Sequence, residues 1–254
     1  MQLILIGAIA FFASLMSGLL GLGGAVVVIP AYLYLPELFG TPSLGVREVS
    51  GITSLQVLAS SLLGMWTHKH RGCVDTRLAL TMGIPIMGAA FGGAMVSRFI
   101  QPDFIVGVFA SMAILGALLM MVTGADDDRQ GPLTYSSAGA AAVAIGVGFC
   151  GGIVGAPGAF LLSPLMMSVL KIPTRVAIGT TLGVVVLSAL ATSTGKLLTG
   201  QVPFPETVVA VIASLPGTYL GCRLSFACSP RALRWVIAAV IVAVGVGMWY
   251  QILT

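Results

Sequence analysis

Residues 18–30 read GLLGLGGAVVVIP, and residues 152–164 read GIVGAPGAFLLSP. The two stretches align without a gap, so that three glycines, one alanine and one proline recur at the same places in the second copy. In each copy a glycine-rich break separates an apolar segment from a shorter apolar segment that contains the proline. Glycine and proline interrupt membrane helices where neighbouring groups satisfy the freed backbone. The stretch therefore predicts two repeats, each with a short broken helix.

The repeat continues beyond this stretch. Residues 47–53 (REVSGIT) align with residues 175–181 (RVAIGTT), again without a gap. More weakly, Gly88 to Gly92 can be laid over Gly217 to Gly221. The predicted domains are a first transmembrane repeat at 1–123, a polar linker loop at 124–132 and a second transmembrane repeat at 133–254.

Composition places the chain in a membrane. Of 254 residues, 57% are hydrophobic and only 8% are charged, whereas about 25% are charged in an average soluble domain. A soluble globular protein is therefore excluded, and the net charge of +4 is attributed to loop asymmetry across a bilayer rather than to nucleic-acid binding. We predict an all-α polytopic membrane protein with ten hydrophobic helical segments. They are 2–20, 24–36, 48–67, 78–97, 104–123, 133–154, 159–170, 176–197, 206–224 and 232–253.

Charge placement favours ten crossings. If every segment crosses the membrane, nine of the 12 Lys and Arg residues lie on one side, and only Arg47, Arg98 and Lys196 lie on the other. This asymmetry follows the positive-inside rule and puts both ends of the chain outside the cytoplasm. Because each repeat has an odd number of segments, the second repeat is then inverted relative to the first. Inverted repeats are typical of secondary transporters, whose substrate sites lie where the repeats meet.

The glycine breaks supply the first candidate binding groups. N–H groups at the start of a helix lack partners and carry partial positive charge, so short helices beginning after Gly23 and Gly24, and after Gly158, would together form an anion site. The alternative is that these glycines only permit close helix packing, as small residues do in membranes. Their duplication with a proline favours the site.

Polar side chains downstream of each break extend this candidate site. Hydroxyl and amide groups can donate hydrogen bonds to an anion without the cost of burying a full charge. The predicted lining residues are Thr53, Ser54, Gln56, Thr180 and Thr181. The alternative for the hydroxyls is hydrogen bonding to a carbonyl one turn earlier, which Ser and Thr often form in apolar helices.

Basic residues at the segment ends are the last candidates. Arg47 and Arg175 precede the polar clusters, and Lys196 lies near the end of an apolar run. A guanidinium group can bind two oxygens of an oxyanion at once. The alternative is that these long side chains anchor the helix ends at the membrane boundary. Arg47 and Arg175 are included in the predicted substrate-binding set.

The sequence lacks the residues that cation transport, metal binding or enzyme catalysis would need. All eight acidic residues fall at segment ends or in loops, so no carboxylate is placed for a cation cage or a proton relay inside the membrane. The four cysteines form no CxxC pair, and no nucleophile is accompanied by a base. We therefore expect no metal, no cofactor and no enzyme activity.

The duplicated break with its proline, followed by the block at 175–181, resembles the TauE/SafE sulfite and organosulfonate exporter family. The resemblance covers nearly the whole chain, because both repeats carry the pattern. It implies a permease of the bacterial inner membrane that moves sulfite, sulfoacetate or related sulfonates. The second copy departs from the family's glycine-rich turn in having Pro157 between Gly155 and Gly158.

These observations lead to the hypothesis of a secondary transporter that exports a small sulfur-containing anion by alternating access. Its expected partners are that anion and membrane lipid, without nucleic acid, and a homo-oligomer is left open. One alternative is an importer of a sulfur compound with the same fold. Another is a non-transporting membrane scaffold subunit, in which the glycine breaks serve packing alone.

Overall fold

All regular secondary structure in the described part of the chain is helical. The computed structural model describes residues 2–20, 25–42, 44–70, 74–122, 136–156, 158–229, 235–237, 239–240 and 242–243, and no strand occurs among them. The α-helices are α1 (Gln2–Leu20), α2 (Ala25–Leu38), α3 (Val46–Lys69), α4 (Thr76–Val96), α5 (Pro102–Val122), α6 (Ser137–Val154), α7 (Ala159–Ser168), α8 (Thr174–Leu198) and α9 (Phe204–Ala227), with a 3-10 turn at Ser97–Phe99.

The nine described α-helices match nine of the ten predicted segments to within four residues at each end. Within the tenth, 232–253, the described residues between 235 and 243 are helical. The predicted linker at 124–132 lies outside the described residues. Polar side chains fix several helix starts: Asp75 accepts a hydrogen bond from the Leu78 N–H at 2.8 Å, and Glu48 accepts one from the Gly45 N–H at 2.9 Å. The all-α prediction is confirmed.

Six of the described helices are long and apolar enough to cross a membrane. They are α1, α3, α4, α6, α8 and α9, and the apolar stretches Ala25–Pro36 and Pro102–Gly116 are shorter. The ten residues of α7 extend about 15 Å at 1.5 Å per residue, which is half of the hydrocarbon thickness. The described residues of the α6–α7 connection, Gly155, Ala156 and Gly158, are buried in the protein.

Glycines bring two helix pairs into backbone contact. A Cβ added at Gly221 would collide with the Leu15 carbonyl where α9 packs on α1, and one added at Gly93 would collide with the Phe149 carbonyl where α4 packs on α6. Extended upstream, the alignment of residues 18–30 with residues 152–164 pairs Leu15 with Phe149. The two contacts are thus the same contact with the repeats exchanged, as an inverted repeat requires.

This contact corrects the alignment of Gly88 to Gly92 with Gly217 to Gly221. A Cβ added at Gly88 or Gly92 would meet no atom within 4 Å. Gly93 is the partner of Gly221, in the same register that relates residues 47–53 to residues 175–181. The predicted register was one residue off because glycines recur every four residues in this region, and neighbouring positions on a helix point about 100° apart.

Helices α3 and α8 form the centre of the molecule. Of their apolar, membrane-length stretches, 61% and 78% of the residues are buried, against 33–44% in the other four long helices. They run antiparallel, because Gly51 near the start of α3 lies against Gln201 just after α8, and Gly64 further along α3 lies against Leu182. The start of α3 and the end of α8 therefore lie at the same end of the molecule.

Candidate functional site

The α6–α7 turn is the glycine break that the structure describes. Gly155 and Gly158 adopt φ values of 80° and 68°, in the left-handed region that favours glycine. Gly155 closes α6 by donating its N–H to the Gly151 carbonyl at 2.9 Å, and Gly158 is the N-cap of α7 without a side-chain cap. Gly155 and Gly158 are buried. Gly23 and Gly24, the corresponding candidates in the first repeat, lie outside the described residues.

Two buried hydroxyls on α3 lie close to this turn. A Cβ added at Gly155 would collide with the Ser50 hydroxyl, so Ser50 contacts the turn directly. Thr53 lies one turn further along the same side of α3. The exposed fraction of Ser50 is 1% and that of Thr53 is 0%, and neither hydroxyl has a hydrogen-bond partner among the described residues. Ser54, by contrast, donates to the Gly51 carbonyl at 2.8 Å, so its hydroxyl follows the back-bonding alternative.

Lys196 approaches the same turn from α8. Its side chain is fully buried, and its Nζ donates to Ser97 Oγ at 2.8 Å, to the Ile153 carbonyl at 3.1 Å and to Gln201 Oε1 at 3.1 Å. Ile153 lies two residues before Gly155, so the ammonium group is hydrogen-bonded to the last turn of α6. The three donors of the ammonium are satisfied, and all three acceptors are neutral.

Further hydroxyls lie beside Lys196 on α8. Thr192 and Ser193 precede it by one turn and therefore lie on its side of the helix. Both are buried, and neither hydroxyl has a partner among the described residues. Because α3 and α8 are antiparallel, they lie at about the level of Thr53. This end of the α3–α8 pair thus combines unpartnered hydroxyl donors with one buried positive charge.

Arg47 is held at the edge of this region. It is exposed, and its Nη2 donates to the Ile100 carbonyl at 3.0 Å. The Ile100 N–H donates to the Ser97 carbonyl at 3.2 Å, so the 3-10 turn connects Arg47 with the Lys196 cluster. The four acidic side chains that the structure describes are all partly or fully exposed: Glu48, Asp75, Asp103 and Glu206. No described carboxylate compensates the positive charge of Lys196.

The structure puts the other predicted lining residues at the opposite end of the α3–α8 pair. Thr180 Oγ1 accepts a hydrogen bond from the Asp75 N–H at 3.0 Å, and Thr181 Oγ1 lies 3.2 Å from Ser163 Oγ. Since Leu182 is level with Gly64, Thr181 and Thr53 are separated by about 17 Å along the helix axis. Arg175 begins α8 at that far end, and its side chain lies outside the described residues. These residues therefore form a group separate from the one at the α6–α7 turn.

Gln56 belongs to a third, fully bonded group. Its Oε1 accepts the Tyr32 hydroxyl at 2.8 Å, and its Nε2 donates to Ser14 Oγ at 3.1 Å. This network joins α1, α2 and α3 in the interior. Its polar atoms already have partners, so it serves packing specificity better than substrate binding.

The residues that complete the Lys196 cluster were not identified in the sequence. Ser97 is 99 positions from Lys196, and Ile153 contributes a main-chain carbonyl that no side-chain motif reveals. Ser50 belongs to the same polar cluster as Thr53 and Ser54 in the sequence but is not in the predicted substrate-binding set. The available signal was the charge of Lys196, which lies near the end of an apolar run, three residues after Ser193.

Comparison with known proteins agrees with this architecture. A family model for the sulfite exporter TauE/SafE matches residues 6–248. The probable membrane transporter protein YunE of Bacillus subtilis is 24% identical over 99% of this chain and 98% of its own length. A probable membrane transporter protein of Methanocaldococcus jannaschii is also 24% identical, over 94% of this chain and 92% of its own. No solved structure matches significantly. The chain therefore belongs to the TauE/SafE sulfite exporter family, as a multi-pass membrane transporter.

Proposed function

We propose that this transporter exports a small sulfur-containing anion, such as sulfite or an organosulfonate, across the bacterial inner membrane. The observation that carries the proposal is the composition of the polar interior at the α6–α7 turn. It offers the hydroxyls of Ser50 and Thr53 and the ammonium group of Lys196, while no described acidic side chain is buried. The hydroxyls can donate hydrogen bonds to an anion, and the positive charge of Lys196 disfavours a cation.

The chemistry of a sulfur oxyanion suits these groups. Sulfite and sulfonate present several oxygen acceptors around one sulfur atom, and each hydroxyl can donate one hydrogen bond to them. Hydrogen bonds to a charged partner are worth about 1.5–3 kcal/mol. The uncapped start of α7 adds partial positive charge on the same side.

The direction follows from the membrane potential. An inside-negative potential favours outward movement of an anion by about 2.3 kcal/mol per charge per 100 mV. Export therefore needs no buried acid for proton coupling. Alternating access would come from rocking of the two repeats about the antiparallel α3–α8 pair.

The test is flux in proteoliposomes under an imposed potential, with radiolabelled sulfite, sulfoacetate and thiosulfate offered in turn. We expect Thr53→Val to raise the KM for the transported anion about tenfold, because one donor is lost without a change in shape. The same variant should unfold at an equal or higher temperature, since removal of an unpartnered buried hydroxyl stabilises by about 1 kcal/mol. Ser54→Ala, whose hydroxyl is bonded to its own helix, is the matched control and should leave the KM unchanged.

Two results would contradict the proposal. If folded wild-type protein moves none of the three anions in either direction, the substrate class is wrong. If flux responds to the potential but Thr53→Val behaves like Ser54→Ala, the anion binds elsewhere in the transporter. Flux inward against the potential would leave the substrate class intact and reverse the direction.

A further inference from the structure

The ammonium group of Lys196 is a charge without a counter-charge among the described residues. It is fully buried and lies near the end of the candidate membrane-spanning stretch Val176–Leu198. Its hydrogen bonds go to a hydroxyl, an amide oxygen and a main-chain carbonyl, all of them neutral. Neutral acceptors satisfy the donors but leave the net charge, and a buried ion without an opposite charge is costly.

The surroundings of Lys196 increase this cost. The cation Arg47 is hydrogen-bonded to the same 3-10 turn as Lys196. The neighbouring carboxylate of Glu48 is exposed and accepts a hydrogen bond from the Gly45 N–H. Arg98 in that turn is exposed and stacks on the Phe99 ring at 4.4 Å. An anion entering this region would meet an excess of positive charge.

We propose that Lys196 is the anion-binding residue that selects the charge of the transported solute. Its ammonium group exchanges Ser97 and Gln201 for oxygens of the anion and keeps the Ile153 carbonyl as its third acceptor. The inference rests on the proposed anion transport and deepens it, because it names the group that distinguishes an anion from a neutral solute of the same shape.

Ser97 and Gln201 are suited to this exchange. Ser97 Oγ also donates to the Ala94 carbonyl at 2.7 Å, and Gln201 Nε2 also donates to Thr199 Oγ1 at 2.8 Å. Each therefore keeps a partner when the ammonium leaves it. Gln201 lies in the irregular segment 201–203, where a side chain can move without breaking a helix. Ile153 is fixed by α6 and remains in place.

The experiment uses Lys196→Gln, Lys196→Arg and Ser97→Ala, with the exposed Lys171→Gln as control. Flux gives the KM for sulfite, and the shift of the unfolding temperature with added sulfite reports binding without transport. We expect Lys196→Gln to raise the KM at least tenfold and to abolish the shift, and Lys196→Arg to retain both in part. Ser97→Ala should lower the KM about threefold, because it removes a neutral acceptor that competes with the anion. Lys171→Gln should match wild type.

The outcomes separate this inference from the proposed function. Absence of sulfur-anion flux in wild-type protein defeats the proposed function. Wild-type flux together with an unchanged KM and temperature shift in Lys196→Gln overturns the role of Lys196 alone. If Lys196 only stabilises the fold, Lys196→Gln and Ser97→Ala should both lower the unfolding temperature and leave the KM unchanged. That result also overturns the inference. If Lys196→Gln does not fold, Ser97→Ala decides, and an unchanged or raised KM overturns the inference.

Discussion

The two ends of the α3–α8 pair share a backbone arrangement but not a chemistry. At one end Lys196 binds Ser97, and at the other the positions equivalent to them in the repeat are His68 and Ser225. His68 is 3% exposed and packs on the Phe226 ring, with centroids 4.8 Å apart. A buried lysine at one end thus corresponds to an aromatic imidazole at the other. Duplication preserved the packing and left the polar side chains free to diverge.

The interior of the two repeats diverges in the same way. Tyr32 and Gln56 form a hydrogen bond in the first repeat, whereas the equivalent residues in the second are Met166 and Val184, which are apolar. Ser50 at the α6–α7 turn corresponds to Ile178. These unequal positions are where the two repeats differ in the polar groups that they present to the interior.

The largest effect should come from breaking the symmetric packing. Gly93→Ala and Gly221→Ala each place a Cβ against a main-chain carbonyl, of Phe149 and of Leu15 respectively, so the packed helices must move apart. We expect each variant to lose about 3 kcal/mol of stability, at the upper end for overpacking. The measurement is thermal unfolding in detergent, followed by size-exclusion chromatography. The two losses should be similar because the contacts are equivalent.

Gly92→Ala is the matched control for this pair, because its Cβ would meet no atom within 4 Å. It should be neutral or slightly stabilising, since alanine favours a helix. Unequal losses at Gly93 and Gly221 would break the comparison, because they would mean that the inverted repeat is only approximate at its closest contacts. A loss at Gly92 would restore the original register of the alignment.

A smaller effect, on anion binding, should come from removing the Ser50 hydroxyl at the α6–α7 turn. Ser50→Ala deletes a buried, unpartnered hydroxyl beside Gly155 and makes this position apolar, as Ile178 is in the other repeat. We expect the KM for the transported anion to rise about tenfold, since one hydrogen bond to the anion is lost, with an equal or higher unfolding temperature. Proteoliposome flux measures the first quantity and thermal unfolding the second.

Ser61→Ala provides the comparison for Ser50 on the same helix. Its hydroxyl donates to the Leu58 carbonyl at 3.1 Å and lies away from the α6–α7 turn. An equal rise in KM for both variants would show that hydroxyls along α3 act through the helix and not through the site. Ser50 would then not count as evidence that the two ends of the α3–α8 pair differ in anion binding.

The sequence predicted the symmetric part of the molecule far better than the asymmetric part. Apolar runs and glycine breaks are local, so nine helices and the repeat could be inferred from spacing alone. The bonds of Lys196 to Ser97 and Ile153 join positions 99 and 43 residues apart, and such contacts depend on helix rotation. Thr53 and Thr181 looked like partners because they occupy equivalent positions, yet inversion itself places equivalent positions on opposite sides of the midplane.

The smallest effect tests the bonded network of the first repeat. Tyr32→Phe removes the hydroxyl that donates to Gln56 and should cost about 1 kcal/mol of stability, with no change in the KM. Thermal unfolding and flux, with Tyr219→Phe on the exposed face of α9 as control, distinguish the two effects. The second repeat has apolar residues at the equivalent positions and still packs, so this network is a local addition to a shared scaffold. A fall in anion affinity in Tyr32→Phe would extend the chemical asymmetry from the ends of the α3–α8 pair into its middle.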